Sequence, residues 1–168
     1  MVSRPLQIKR VTPEYWEEAC RHLAKKDRVM RRLIPQFGDA CLESRGDAFV
    51  TLARSIVGQQ ISVKAAQAVW DRFAALCQSI TPARVLKLKV DDMRAAGLSA
   101  RKVEYLVDLA LHFSNGAVHT LQWSSMEDEA IIQELVDIRG IGRWTAEMFL
   151  IFYLLRPNVL PLDDLGLI

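Results

Sequence analysis

Two adjacent carboxylates, Asp163 and Asp164, follow Pro161 late in the chain. Upstream of them a glycine-spaced run reads Arg139-Gly140-Ile141-Gly142-Arg143-Trp144-Thr145. A carboxylate can stabilise positive charge building on a reacting carbon, or orient and deprotonate a water. Behind a proline-bearing turn it can equally be a helix N-cap, and the two acids alone leave both roles open. The glycine run suggests binding rather than bond-making. Glycine can adopt φ > 0 and lets another backbone approach closely, so Gly140 and Gly142 read as a hairpin between two helices. The N–H groups that open the second helix have no partner within it. They point outward with the positive end of the helix dipole and make an anion site. Arg139 and Arg143 flank that site with fixed positive charge. A duplex phosphate is the natural ligand, held without regard to sequence. The plainer alternative is an αα-hairpin with a glycine turn.

The elements that must place these residues all read as helices. Thr12 followed by Pro13 predicts a start, with the helix running to Lys25. A short helix is expected over Asp27–Ile34, stopped by Pro35, with Gln36–Gly46 as a connector. Asp47 caps a helix that ends at Gly58. Ser62 caps the next, whose apolar face carries Ala65, Ala66, Val69, Trp70, Phe73 and Leu76. Thr81-Pro82 repeats the first start signal. Asp91–Ala96 is a turn or two closed by Gly97. Ser99 caps a long helix to Ser114, while Val118–Gln122 is too short to assign. Ser125, with Asp128 three residues on, is the expected N-cap of the helix before the hairpin, through Ile131, Ile132, Leu135 and Ile138. The helix after the hairpin runs from Arg143 to Leu154. Two exposed junctions carry polar side chains. Gly58-Gln59-Gln60-Ile61-Ser62 joins two amphipathic helices. At the other, Ser99 and the free N–H groups beside it could take a phosphate, with Lys102 nearby, or be an ordinary cap. Lys64, Arg101, Lys102, Arg139 and Arg143 could together form a local basic surface.

The 168 residues suit one domain or two small lobes. With 51% hydrophobic and 25% charged residues the chain can bury a core. A net charge of +2 does not announce nucleic acid, so any basic footprint is local. Cys20, Cys41 and Cys77 are scattered, with no Cys-x-x-Cys pair, which argues against zinc and against an iron–sulfur cluster. Free thiols in a reducing compartment are the expectation. No apolar run reaches membrane-spanning length, and Met1–Arg10 lacks the apolar core of a signal peptide.

Three motifs in order, Gly58-Gln59-Gln60-Ile61-Ser62, Gly140-Ile141-Gly142-Arg143-Trp144-Thr145-Ala146 and Pro161-Leu162-Asp163-Asp164-Leu165, resemble the helix-hairpin-helix DNA glycosylases. Within them the chain is similar to the 3-methyladenine DNA glycosylase II branch, over roughly residues 27–167. The resemblance implies an all-α, two-lobed fold. Residues 1–46 would begin one lobe, 47–154 would form the central lobe ending in the helix-hairpin-helix at 126–154, and 155–168 would carry the catalytic segment. It implies base excision repair on double-stranded DNA, by hydrolysis of the N-glycosidic bond of alkylated bases. Asp164, the second acid, takes the catalytic place, and Asp163 a supporting or capping one. Gln60 would fill the gap left by an extruded base, with Gln59 as support. Ser99, Lys102, Arg139, Gly140, Gly142, Arg143 and Thr145 would contact DNA. Trp144 and Met148 would line the base pocket. Enzymes that also cut the backbone place a lysine where this chain has Trp144, so a monofunctional enzyme is expected. An indole face can stack on a cationic base. The backbone carbonyls of Val136, Ile138 and Ile141 would hold a structural sodium or potassium ion, and no catalytic cofactor is expected. The setting would be the cytoplasm and nucleoid of a bacterium or the nucleus of a eukaryote.

Family members continue for several helices beyond the catalytic aspartate. The second lobe is therefore expected to be incomplete in this chain, which would be weakly active or inactive and would either self-associate through uncovered N-terminal helices or be marginally stable. Two other readings compete. One is a non-catalytic helix-hairpin-helix module that binds DNA. The other is a glycosylase for a different base lesion, which shares the mechanism and differs in its pocket.

Overall fold

Local capping sets most of the helix starts. The structure is a computed structural model that describes residues 12–38, 40–44 and 46–167; the reading of Met1–Arg10 lies outside them. Among the described residues there are nine α-helices, two 3-10 turns and no β-strand. Helix α1 spans Trp16–Lys26. In α2 (Arg28–Leu33), Asp27 accepts from the N–H groups of Val29 and Met30. Asp47 caps α3 (Ala48–Gly58) through Val50 N–H, and Ser62 caps α4 (Val63–Cys77) through Ala65 N–H. Thr81 caps α5 (Pro82–Val85), and α6 spans Val90–Ala95. Ser99 caps α7 (Ala100–Ser114) through Lys102 N–H. Helices α8 (Asp128–Val136) and α9 (Arg143–Phe152) flank the glycine hairpin. Each cap satisfies a donor that the helix itself cannot, worth about 1 kcal/mol.

Three expected boundaries are corrected. Thr12 does not cap α1. The Trp16 N–H closes a turn on the Pro13 carbonyl at 3.0 Å, so the helix begins three residues after the proline. Helix α2 does stop ahead of Pro35, at Leu33, but the expected connector opens as a 3-10 helix over Ile34–Phe37 with Pro35 in its first turn. Ser125 does not cap α8. It closes a 3-10 turn over Trp123–Ser125 and its hydroxyl donates to the Gln122 carbonyl, while Glu127 stands at the N-cap. The reason is tertiary. The Arg156 guanidinium donates to the carbonyls of Trp123 and Met126 and pairs with Asp128 at 3.4 Å, which holds this segment in a tighter turn.

The core lies where α3 packs against α4, α7 and α9, with α7 also against α5 and α6, and α8 against α9. Phe49, Leu52, Ile56, Phe73, Leu106, Leu109, Ile131, Leu135 and Leu150 are wholly buried. Each such side chain contributes roughly 1.5–3 kcal/mol relative to exposure. Edge-to-face contacts run from Phe49 through Phe113 and Trp123 to Phe149, which stacks on Tyr153. The Trp123 indole N–H donates to Glu134 at 3.0 Å. Burial alone would raise the Glu134 carboxyl; hydrogen bonds from Trp123 and His119 outweigh it and hold the group below its ordinary range. By contrast α1 and α2 pack on each other and bury no residue. Between them lies an apolar groove of about 980 Å³ that includes Trp16, Leu23, Met30, Leu33 and Phe37. Cys20 and Cys41 line it half-buried and Cys77 is buried; all three are free thiols.

The two hairpin glycines have different reasons. Gly140 has φ +87°, and a Cβ there would lie 2.2 Å from the Tyr105 ring of α7. Gly142 does not use positive φ. It is the N-cap of α9, extended at φ −92°, and a Cβ would meet nothing within 4 Å. Gly140→Ala therefore combines strain with a clash against an anchored ring. Thermal unfolding should show a loss of about 2 kcal/mol or more, a fall of roughly 4–8 °C in Tm. An unchanged Tm would refute the packing described here.

Candidate nucleic-acid interface and base cleft

Helix α9 opens without a side-chain cap. Its first intrahelical bond runs from Ala146 N–H to the Gly142 carbonyl, which leaves the N–H groups before it for an external acceptor. With the open space outside Gly142, this is a helix terminus that an anion can approach closely. The flanking arginines are less available than the sequence implies. Arg143 grips Glu129 through both terminal nitrogens at 2.8 and 2.7 Å, and its Nε donates to Glu147 at 3.0 Å. These bonds hold the Glu129 carboxyl down to about 2 and raise the arginine. Arg139 reaches Glu104 at 3.3 Å, and its backbone N–H donates to Asp108 at 2.8 Å. A phosphate at this terminus would compete with carboxylates of the same chain. Lys64 and Arg101 are exposed.

Lys102 is half-buried, and burial lowers its pKa. Its ammonium donates to the carbonyls of Val57 and Gln59, both at 2.8 Å. It is thus directed under the 58–62 loop rather than out beside the Ser99 cap. Ser99 itself is exposed and accepts from Lys102 N–H. Gln59 is also occupied, because its amide donates to the Gly140 carbonyl at 2.8 Å. Gln60 is different. It is exposed, with φ +57°, a left-handed conformation that costs a non-glycine residue roughly 1–2 kcal/mol. The structure therefore presents Gln60 outward and uses Gln59 as a tie to the hairpin.

Between this loop, α3 and α9 lies a cleft of about 610 Å³. Gln59, Gln60, Trp144, Thr145 and Met148 line it, as do Ser55 and Phe152, which the sequence did not single out. Ser55 and Phe152 carry no motif; a half-polar helix position and an aromatic at a helix end are ordinary, and only the packing of α3 on α9 brings them together. Trp144 is 46% exposed. Its indole N–H donates to Asp164 Oδ2 at 2.7 Å, and Asp164 Oδ1 accepts from Gly166 N–H at 2.8 Å. Asp164 closes a short turn of its own and is half-buried, whereas Asp163 is exposed. The carboxylate is thereby fixed at the Trp144 side of the cleft. The larger N-terminal groove is formed only by residues 12–41 and lies apart from this carboxylate. Arg139, Gly140, Gly142, Arg143 and the metal-candidate carbonyls of Val136, Ile138 and Ile141 share one hairpin; Ser99 sits at the start of α7.

Comparison with known proteins extends this geometry. Residues 53–168 match the HhH-GPD superfamily base excision DNA repair protein family. The chain is similar to DNA-3-methyladenine glycosylase 1 of Schizosaccharomyces pombe, 35% identical over 154 residues, which cover 87% of this chain and 67% of that protein. Its fold is similar to the crystal structure of DNA-3-methyladenine glycosidase from Bacillus halodurans, with a TM-score of 0.80 and 31% identity over 95% of this chain and 74% of the other. It is similar too to Schizosaccharomyces pombe 3-methyladenine DNA glycosylase in complex with abasic-DNA, with a TM-score of 0.74 and 34% identity over 89% and 76%. The chain spans 43–67% of the length of three curated relatives that it matches. The family match takes in the hairpin, the cleft and the aspartate together, and the all-α fold agrees with it; the chain belongs to the helix-hairpin-helix (HhH-GPD) superfamily of base excision DNA repair proteins.

Proposed function

We propose that this chain excises alkylated bases of the 3-methyladenine type from duplex DNA, as a monofunctional glycosylase. The observation that carries this reading is Asp164, oriented by the Trp144 indole beside an aromatic cleft and next to a helix terminus open to phosphate. The target base cannot be reached inside the duplex, so it enters the cleft by extrusion. The N-glycosidic bond breaks with its electron pair going to the base. Positive charge builds on the sugar, and the Asp164 carboxylate stabilises it. A water adds to C1′ and its proton passes to Asp164. A free base and an abasic site result. An alkylated base already carries positive charge and leaves readily, so the cleft needs to hold it more than to protonate it. The Trp144 ring, anchored at its N–H edge, offers a face for that.

The hairpin positions the duplex through backbone donors. A monovalent cation fits the donor chemistry there, since the carbonyls of Val136, Ile138 and Ile141 are hard oxygen ligands. The Ile138 carbonyl accepts one hydrogen bond, from Ile141 N–H at 3.0 Å, and keeps a second lone pair. When bound, the ion would add positive charge beside a phosphate in a structural role.

Asp164→Asn should keep binding to abasic duplex and lose base release by at least about a hundredfold, in the range general base or electrostatic roles supply. Base release near the parent rate would contradict the assignment. Abasic-duplex binding by a parent chain that releases no base would instead support the module without catalysis.

Gly142→Val fills the open space outside α9 at a backbone angle valine tolerates. It should weaken binding to unrelated duplexes alike while costing only about 1 kcal/mol of stability. A loss confined to one sequence would point to base readout and against positioning.

With tryptophan in the lysine place, borohydride should trap no covalent protein–DNA complex, and strands should break only after alkali. A trapped complex would reveal another amine as nucleophile.

A further inference from the structure

The loop that presents Gln60 lies between helices, and its Gln59 carbonyl and the Val57 carbonyl at the end of α3 are held by one side chain. Lys102, in the first turn of α7, donates to Val57 and Gln59 across 45 and 43 residues of sequence. Val57 lies in the last turn of α3, where helix carbonyls lack partners of their own. A cation there also meets the negative end of the α3 dipole. Gln59 is the C-cap of α3, and its carbonyl belongs to the peptide that leads into Gln60. Fixing that carbonyl fixes the peptide plane from which Gln60 departs at φ +57°. From the other side the Gln59 amide ties the same loop to the Gly140 carbonyl.

We propose that Lys102 is a positioning residue for the gap-filling glutamine: its ammonium pins the Gln59–Gln60 peptide so that Gln60 is presented ready to enter the duplex. The inference rests on the proposed function, because it needs an extruded base whose place Gln60 fills. It assigns Lys102 a task different from phosphate contact. Two of its three N–H donors are spent inside the protein, and its stem is half-buried under the loop. A loop ordered in advance has already lost its conformational freedom when DNA arrives, which favours the extruded complex over undamaged duplex.

The test is a double-mutant cycle on the 168-residue chain. The quantity measured is the preference for a duplex carrying a tetrahydrofuran abasic analogue over the same duplex undamaged, with thermal unfolding alongside. Lys102→Met should lower that preference about tenfold, or roughly 1.4 kcal/mol of differential binding. Gln60→Ala should do much the same, and the double variant should lose no more than either single variant, because both act through one side chain. Lys102→Arg, whose fork can donate to both carbonyls, should stay within about threefold of the parent. Where Lys102→Met fails to fold, Lys102→Gln, which keeps one donor type without the charge, replaces it in the cycle. A lysine that only stabilises the fold would lower Tm and weaken both duplexes equally. That result, an unchanged preference, or losses that multiply in the double variant would overturn the inference. A parent chain with no abasic preference would overturn the proposed function itself, and the inference with it.

Discussion

Gly140 lies so close to the Tyr105 ring that no Cβ fits between them, and the placement of the hairpin depends on that contact. The ring belongs to α7, and the same helix supplies two further hairpin supports beside the Gln59 amide. Asp108 accepts the backbone N–H of Arg139, and Glu104 meets its guanidinium. One turn earlier, Lys102 holds the loop after α3. A single helix thus aligns the uncapped terminus of α9 and the outward-facing glutamine. Leu106 and Leu109 anchor α7 in the core, so both polar elements are referenced to one rigid body.

The electrostatics follow from the same arrangement. The chain has little net charge, and the arginines beside the open terminus of α9 already have acidic partners. The exposed pairs with Glu104 and Glu129 are worth little in water, so exchanging either of those carboxylates for a phosphate is cheap, whereas Glu147 is buried and its bond to Arg143 Nε is not a surface pair. The backbone N–H groups of α9 carry no such partner and do not depend on side-chain rearrangement.

Trp144 joins the carboxylate to the cleft. Its N–H edge orients Asp164 while its ring lines the cleft, so one side chain sets the carboxylate and part of the pocket wall. The indole donor gives the carboxylate a direction that the turn around Gly166 alone would not. Met148 and Phe152 continue the same wall along α9 at helical spacing.

Much of this was legible in the chain because it is local. Asp47, Ser62, Thr81 and Ser99 cap helices within three residues, and the apolar pattern of α4 marked Trp70 and Phe73, which are buried, though it also took in Ala65 and Leu76, which are exposed. Where a distant group intervened, local reading failed. Ser125 lost its cap to a turn held by Arg156, thirty-odd residues away. Gly142 faces open space and has no positive φ, and sequence cannot tell such a glycine from one like Gly140 that has both a positive φ and a close neighbour. The motifs placed Trp144, Asp164, Gln60 and the hairpin as candidates, but not their partners. That Lys102 is committed to Val57 and Gln59, Arg143 to Glu129 and the Trp144 indole to Asp164 was decided only by tertiary packing. A side chain's own composition says that it can donate a hydrogen bond; which acceptor lies within 3 Å is set by how helices far apart in sequence come together.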